Sequence, residues 1–198
     1  MRQTATRDHL LTTGLRLLHA QGFHASGVQD IVQAADVPKG TFYTHFESKE
    51  QFGAEVLGRY WEQRATRTTA ILSDESRTPL ERLKAWLTSK ITDREAGKSH
   101  VGCMIGNFSA ELAVDSRLVR DRLSSIFAAW TNLLATTIQE AVDAGEISTA
   151  LPSETIAAFL IDAFEGAVLR SKVDRDTTAL RRLHDVIFST LLVEGHRA

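Results

Sequence analysis

The sequence contains few of the residues that break helices or cross-link chains. Its 198 residues include three prolines, twelve glycines and one cysteine. Low proline and glycine contents favour long helices over many short strands joined by turns. The single cysteine, Cys103, cannot form an intramolecular disulfide, which is typical of a protein from a reducing compartment.

Long apolar runs and an excess of positive charge are also missing. No N-terminal segment resembles a signal peptide, and no uncharged stretch reaches the roughly 18 residues that suggest a membrane span. The net charge is −2, and residues 1–60 hold equal numbers of basic and acidic side chains. We therefore expect a soluble, cytoplasmic protein without membrane association, in which any nucleic-acid surface depends on the placement of a few side chains.

Apolar residues recur at helical spacing through the first third of the chain. A first helix is predicted to end at Gly22, a short second helix to cover 28–35, and Pro38 to lie in the first turn of a third. A Ser-x-x-Gln pattern at 48–51 is a capping box, which predicts a long fourth helix that reaches about Leu72.

The remainder of the chain also predicts helices. A capping box at 78–81 opens a fifth, a short helix lies near 103–113, and a long one covers about 116–144. Pro152 begins the eighth helix. The ninth carries an apolar stripe formed by Leu180, Leu183, Ile187 and Leu191. The last two helices could pack within their own domain or form half of a two-fold four-helix interface. The fold prediction is all-α with about nine helices.

Residues 28–46 have the pattern of a helix-turn-helix. Asp36-Val37 gives a tight turn, which would let the helix from Pro38 to His45 enter a major groove of about 12 Å. Phe42 and Phe46, four residues apart, would face the first helix. Exposed faces would then carry Lys39, Thr41, Tyr43, Thr44 and His45. Gly40 lacks a side chain, so its backbone could approach a phosphate closely.

The chain resembles the TetR family of transcriptional regulators in four segments: Gly22-Phe23, Val28-Gln-Asp-Ile31, the run from Ala35 to Phe46, and Ser48-Lys-Glu50. The resemblance implies a DNA-binding domain at 1–48 and an effector-binding and dimerisation domain at 49–198. It implies phosphate contacts by Lys39, Tyr43, His45 and Lys49, and base contacts by Gln29, Thr41 and Thr44. The alternative is that Tyr43 and His45 are ordinary solvent-facing residues of a helical bundle.

The same resemblance implies a repressor that binds double-stranded operator DNA as a homodimer through its last two helices. The sequence itself leaves activation open as the alternative to repression. A small-molecule effector would release the repressor by swinging the fourth helix. The candidate pocket residues are Trp61, Trp86, Cys103, Met104, Phe108, Phe127, Trp130 and Phe164. Aromatic residues at helical spacing are also what an ordinary core contains, so both interpretations stay open.

Cys103 lies in the segment from His100 to Ser109, at the predicted start of a helix, where thiols tend to ionise more readily. This Gly-Cys-x-x-Gly-Asn run, followed by Glu111-Leu-Ala113, is similar to a branch of the family. Some members of that branch sense oxidants or electrophiles through the matching cysteine. The likeness implies that Lys172 lies near the thiol. The alternative is a passive, buried Cys103 in a regulator that responds to another ligand.

Other function classes lack support in the sequence. No nucleophile and base set, phosphate loop or paired carboxylates stand out, so we expect neither an enzyme nor a bound cofactor. His100 and Cys103 have a metal-like spacing, but two ligands do not make a site, and no metal is expected. A helical interaction module that does not bind DNA is the remaining alternative.

Overall fold

Nine α-helices account for most of the chain in a computed structural model, which describes residues 2–97 and 101–193. They are α1 (Arg2–Gln21), α2 (Val28–Ala34), α3 (Lys39–Tyr43), α4 (Lys49–Leu72), α5 (Pro79–Glu95), α6 (Met104–Leu112), α7 (Arg117–Asp143), α8 (Ser153–Asp174) and α9 (Thr178–Val186). A π-helical turn, Ile187–Leu191, continues α9. The prediction of an all-α fold with about nine helices is confirmed. In this described part of the chain, no helix is both long and apolar enough to cross a membrane.

Contacts between residues group the chain into two compact units. The first comprises Met1–Arg64 and Met104–Ile126, and the second comprises Ala65–Cys103 and Phe127–Ala198. Helix α6 therefore belongs to the unit that contains the helix-turn-helix, although it is distant in sequence. The functional boundary at residue 48 stays a prediction.

Local capping interactions fix several helix ends. The Thr78 hydroxyl accepts a hydrogen bond from the Glu81 backbone N–H at 3.4 Å, and Glu81 Oε2 accepts one from the Thr78 N–H at 2.9 Å. The predicted capping box of α5 is thus confirmed. At α4, Ser48 Oγ accepts a hydrogen bond from the Gln51 N–H at 3.0 Å, but Gln51 Oε1 bonds the N–H of Glu47 instead of Ser48.

Four predicted helix boundaries differ in the structure. Pro38 and Pro152 precede α3 and α8 as N-cap residues with extended ψ values of 145° and 141°, so each helix begins one residue later than predicted. Helix α3 also ends at Tyr43 and not at His45, because Thr44 forms its C-cap. The last helix changes from α to π geometry at Ile187, before the predicted stripe ends.

Three phenylalanines anchor α3 within the first unit. Phe42 and Phe46 are buried, as predicted, and their ring centroids lie 5.2 and 4.9 Å from that of Phe52 on α4. A Cβ at Gly14 of α1 would lie 2.2 Å from Phe52 Cζ, so this position accepts glycine alone without movement of the ring. The packing of these side chains holds α3 against α1 and α4.

A second aromatic cluster lies in the second unit. Trp86, Trp130 and Phe164 have ring centroids 5.7 to 6.4 Å apart, and Trp86 is fully buried. Phe159, which belongs to the apolar stripe predicted for α8, is instead 55% exposed. It shares an outward face with Leu169 and Val173, so α8 has apolar residues on two sides.

Candidate nucleic-acid interface and sensor site

The connection between α2 and α3 is a tight turn. Asp36 has a φ of 52°, a left-handed conformation that aspartate tolerates better than most residues. The Val37 N–H donates to the Val32 carbonyl at 3.0 Å, which closes the turn. His9 on α1 lies 3.0 Å from the Ala35 carbonyl through its Nε2 and ties the end of α2 to α1. The position of α3 is therefore set by hydrogen bonds as well as by its buried ring.

Most of the predicted DNA contacts lie on an open surface. Lys39, Gly40, Tyr43 and Thr44 are exposed, Thr41 and His45 are half-buried, and Gln29 on α2 is exposed. Tyr43 is 55% exposed although its ring packs edge-on against Phe42. Among the described residues, no atom would lie within 4 Å of a Cβ at Gly40. The surface is accessible to a groove, and the contacts themselves stay predictions.

Lys49 occupies a more enclosed position than the other predicted phosphate contacts. Its Nζ donates to the Phe23 carbonyl at 2.7 Å and lies 4.1 Å from the centroid of the Phe23 ring. Burial lowers the pKa of Lys49, while the negative charges of Glu111 and Asp30 oppose that shift. An ammonium group has three N–H donors, so this hydrogen bond leaves capacity for a phosphate.

Glu111 on α6 holds the turn that follows α1. Its Oε2 accepts hydrogen bonds from the backbone N–H groups of Phe23 and His24 at 2.9 and 3.0 Å. His24 Nε2 lies 3.0 Å from the Glu111 carbonyl, and the Phe23 ring packs edge-on against Phe108. We call Glu111, Phe23, His24 and Lys49 the Glu111 clasp. It connects α6 to the start of α4 within the first unit.

Sequence reasoning missed the clasp. Glu111 begins the Glu-Leu-Ala segment that follows the Gly-Cys-x-x-Gly-Asn run, but its partners Phe23 and His24 lie 88 and 87 residues earlier in the chain. Helical spacing describes neighbours three or four residues apart, so it carries no signal for such a pair.

Cys103 lies directly before α6 and is buried within the second unit. Its thiol donates a hydrogen bond to the carboxylate of Glu165 on α8. Among the described residues, Glu165 Oε1 is buried without a hydrogen-bond partner. Burial raises the pKa of Glu165 to about 7, and the hydrogen bond from Cys103 opposes the shift. Sequence reasoning missed Glu165, although a lone carboxyl flanked by Phe164 and Gly166 was a visible signal.

Lys172 approaches the same segment from the last turn of α8. Gly102 has a φ of 89°, and a Cβ there would lie 3.0 Å from Lys172 Cδ and 3.6 Å from Val168 Cγ1. Gly102 and Cys103 therefore lie along a face of α8 that carries Glu165, Val168 and Lys172. Lys172 also borders a cavity of about 660 Å³ with Arg94, Glu95, Arg175, Asp176 and Thr177.

The predicted aromatic pocket residues are distributed over both units. Trp86, Trp130 and the half-buried Phe127 belong to the second unit, whereas Trp61 and Phe108 belong to the first. Phe108 is fully buried against Phe23. The Trp86 indole N–H is buried with no hydrogen-bond partner among residues 2–97 and 101–193. An effector pocket at these residues stays a prediction.

Within the described residues, no three His, Cys, Asp or Glu side chains are arranged to hold a metal ion. His100 lies outside the described residues.

Two family models match this chain. The model for "Bacterial regulatory proteins, tetR family" matches residues 10–56, and the model for "Tetracyclin repressor-like, C-terminal domain" matches residues 79–187. The chain belongs to the TetR family. The first match includes the whole predicted helix-turn-helix, and the second includes Cys103, Glu165 and Lys172.

Relatives and solved structures of TetR-family regulators agree with this assignment. The HTH-type transcriptional repressor DhaR of Mycobacterium sp. (strain GP1) is 38% identical over 192 residues, which cover 97% of this chain and 95% of DhaR. The repressor NemR of Escherichia coli (strain K12) is 33% identical over 120 residues, 59% of this chain and 60% of NemR. The crystal structure of reduced E. coli NemR matches with a TM-score of 0.90 and 25% identity, covering 97% and 99% of the two chains. These proteins are regulators and not enzymes, as expected for this chain.

Removal of the Glu111 carboxylate should destabilise this TetR-family regulator. Glu111→Ala leaves two backbone N–H groups without their acceptor, and we expect the free energy of unfolding to fall by about 1–3 kcal/mol. Urea unfolding followed by circular dichroism measures the change. Glu75→Ala, which removes an exposed loop carboxylate, is the control and should stay within about 0.5 kcal/mol of wild type. An equal loss in both variants would show that the clasp adds no stability.

Proposed function

We propose that this TetR-family regulator is a cytoplasmic repressor that binds double-stranded operator DNA as a homodimer and leaves it when Cys103 reacts with an electrophile or oxidant. The main support is the exposed surface of α3. Lys39, Gly40 and Tyr43 are exposed on this helix, while Phe42 on its other side is buried and anchors it. Relatives that are themselves named repressors, DhaR and NemR, support repression over activation.

The geometry of α3 suits insertion into a major groove. Because α3 has five residues, its exposed side chains lie on one to two turns at the groove floor. Lys39, Tyr43, His45 and Lys49 would fix the register on phosphates, and Gly40 would let the backbone approach. Base edges would be read by Gln29, Thr41 and Thr44. The two α3 helices of a dimer would enter grooves about 34–36 Å apart.

The outward face of α8 supports a homodimer. Phe159, Leu169 and Val173 are 55%, 64% and 75% exposed, an unusual density of large apolar residues on one surface. Gly166 lies between them, and among the described residues nothing would lie within 4 Å of a Cβ there, so a second helix could approach closely. Val186 on α9 is also half exposed. A two-fold interface of α8 and α9 would cover these residues.

The position of Cys103 in the chain supports a route for release. Cys103 immediately precedes α6, which carries Phe108 and Glu111. An adduct on a buried thiol needs space, so it would displace the start of α6 and strain the Glu111 clasp. Lys49, the first residue of α4, belongs to that clasp. The adduct would therefore favour a state in which α4 and α3 no longer match the operator.

The first test concerns DNA binding. Lys39→Ala removes one phosphate contact, and we expect weaker operator binding and a slope of log affinity against log salt that is smaller by about 1. Fluorescence anisotropy with the DNA upstream of the gene, between about 50 and 200 mM salt, measures both. Arg117→Ala, an exposed cation on α7 paired with Asp121, should leave the slope unchanged. An unaltered slope for Lys39→Ala would contradict this mode of binding.

The second test concerns assembly. Val173→Glu places a charge on the outward face of α8 and should convert the dimer to monomers, because a charge buried in an apolar interface is strongly disfavoured. Sedimentation velocity measures the result. Val114→Glu makes the same change at a residue that is 89% exposed in the first unit, and it should remain dimeric. A dimeric Val173→Glu protein would require a different interface.

The third test concerns release. An α,β-unsaturated aldehyde should add to Cys103 of the wild type and free it from the operator, whereas Cys103→Ser should stay bound. Gel shift and intact mass are measured on the same samples, so that adduct and release are counted together. Release of Cys103→Ser as readily as wild type would make Cys103 passive and favour regulation by a different ligand.

A further inference from the structure

We propose that Glu165 is the general base for Cys103: it accepts the thiol proton as the sulfur attacks an α,β-unsaturated carbonyl compound. The inference rests on the proposed function of Cys103 and names the group that makes its buried thiol reactive. A thiol without a base nearby has to ionise before it attacks, and burial in apolar surroundings disfavours the charged sulfur.

The first support is the contact itself. A general base has to lie within hydrogen-bonding reach of the proton that it takes. The Cys103 thiol already donates to the Glu165 carboxylate, which is the contact that this proton transfer requires. Cys103 is 9% exposed, which limits competition from solvent for that proton.

The second support is the unsatisfied carboxyl oxygen. Buried polar atoms are nearly always paired, and each exception requires an explanation. Glu165 Oε1 is buried and, among the described residues, has no hydrogen-bond partner. Residues 163, 164, 166, 167 and 168, which flank Glu165 on α8, are apolar or glycine. The carboxyl group is thus held in surroundings that favour its protonated form, which is the form a base reaches after it has acted.

The raised pKa of Glu165 makes its carboxylate a better proton acceptor than an ordinary carboxylate. Burial raises the pKa of Glu165 from 4.5 to about 7, whereas an ordinary thiol has a pKa of about 8.5. Transfer from an ordinary thiol to an ordinary carboxylate is unfavourable by about 10⁴, but to a carboxylate with this pKa the factor is only about 30. Above pH 7, Glu165 is largely ionised and able to act as the base.

Two cationic side chains, one on α8 and one on α5, lie near the elements that carry this pair. Cys103 belongs to the segment before α6, and Lys172 contacts Gly102 from the last turn of α8. Arg94 on α5 donates through Nη2 to the Ser171 carbonyl of α8 at 2.6 Å. Both cationic side chains lie toward the C-terminal end of α8, whereas the pKa of Glu165 is set by burial and by the opposing hydrogen bond from Cys103.

The reaction balances without an oxidant or reductant. The sulfur of Cys103 forms a bond to the β-carbon of the unsaturated carbonyl compound as the carbon–carbon π bond breaks, and the thiol proton moves to Glu165. The resulting enolate then takes a proton at its α-carbon from Glu165. The carboxylate is regenerated, and the product is a thioether on Cys103.

The test uses the full-length protein without DNA and N-ethylmaleimide as the unsaturated carbonyl probe. Because Cys103 is the one cysteine of the sequence, intact mass reports its alkylation directly. We expect the wild-type rate to rise with an apparent pKa near 7 and then to level off. Glu165→Gln should react at least about tenfold more slowly at pH 7.5, and its rate should follow thiol ionisation at higher pH. Glu154→Gln, an exposed carboxylate in the first turn of α8, should match wild type.

A conservative variant separates chemistry from packing. Glu165→Asp keeps the carboxylate, and we expect it to restore the inflection near neutral pH even if the rate is lower. A Glu165→Gln protein that reacts as fast as wild type, or faster because the pocket has opened, would overturn the assignment. So would a Glu165→Asp profile identical to that of Glu165→Gln.

The alkylation rate tests Glu165 as the base, and operator release tests the proposed function, so either proposal can be rejected without the other. Slow alkylation of Glu165→Gln, together with alkylated wild type that stays on DNA, would support the base and reject the proposed release. Unchanged alkylation of Glu165→Gln, together with normal release of the wild type, would reject the base and leave the release intact.

Discussion

Helix α3 has five residues, too few to be stable alone, and its position depends on the burial of Phe42 against Phe46 and Phe52. Full burial of a phenylalanine contributes about 1.5–3 kcal/mol, more than a typical single hydrogen bond. The ring of Phe52 fits only because Gly14 has no Cβ. The element that would read DNA is thus a short polar face supported by an aromatic core shared with α1 and α4.

The Glu111 clasp extends that support to α6. The carboxylate of Glu111 fixes the Phe23–His24 turn by two charge-assisted hydrogen bonds. The ammonium group of Lys49 donates a hydrogen bond to the Phe23 carbonyl and lies over the Phe23 ring. Such a network has few intermediate arrangements, because loss of one member leaves another polar group unsatisfied. The first unit is therefore suited to a two-state response, in which α6 either keeps the turn and the start of α4 together or releases both.

The sequence allowed the helices and the helix-turn-helix to be predicted because both depend on short-range rules. Apolar spacing, the box at Thr78 and the phenylalanines four residues apart act within one or two turns of helix. The structure added what those rules omit. Glu111 and Glu165 find their partners far along the chain, Lys49 is held by a carbonyl, and Phe159 faces outward although its spacing fits the inner stripe. Amphipathic spacing reports that a face is apolar and does not report what covers it.

The balanced charge of the N-terminal segment has a consequence for behaviour in the cell. Arg7 pairs with Glu55 and Arg59 pairs with Asp8, so part of the positive charge is already engaged within the protein. Attraction to arbitrary phosphates supplies essentially all non-specific DNA binding, and it is correspondingly small for such a surface. The rest of the genome would then act as a weak competitor, and few molecules of this regulator would be sequestered on it.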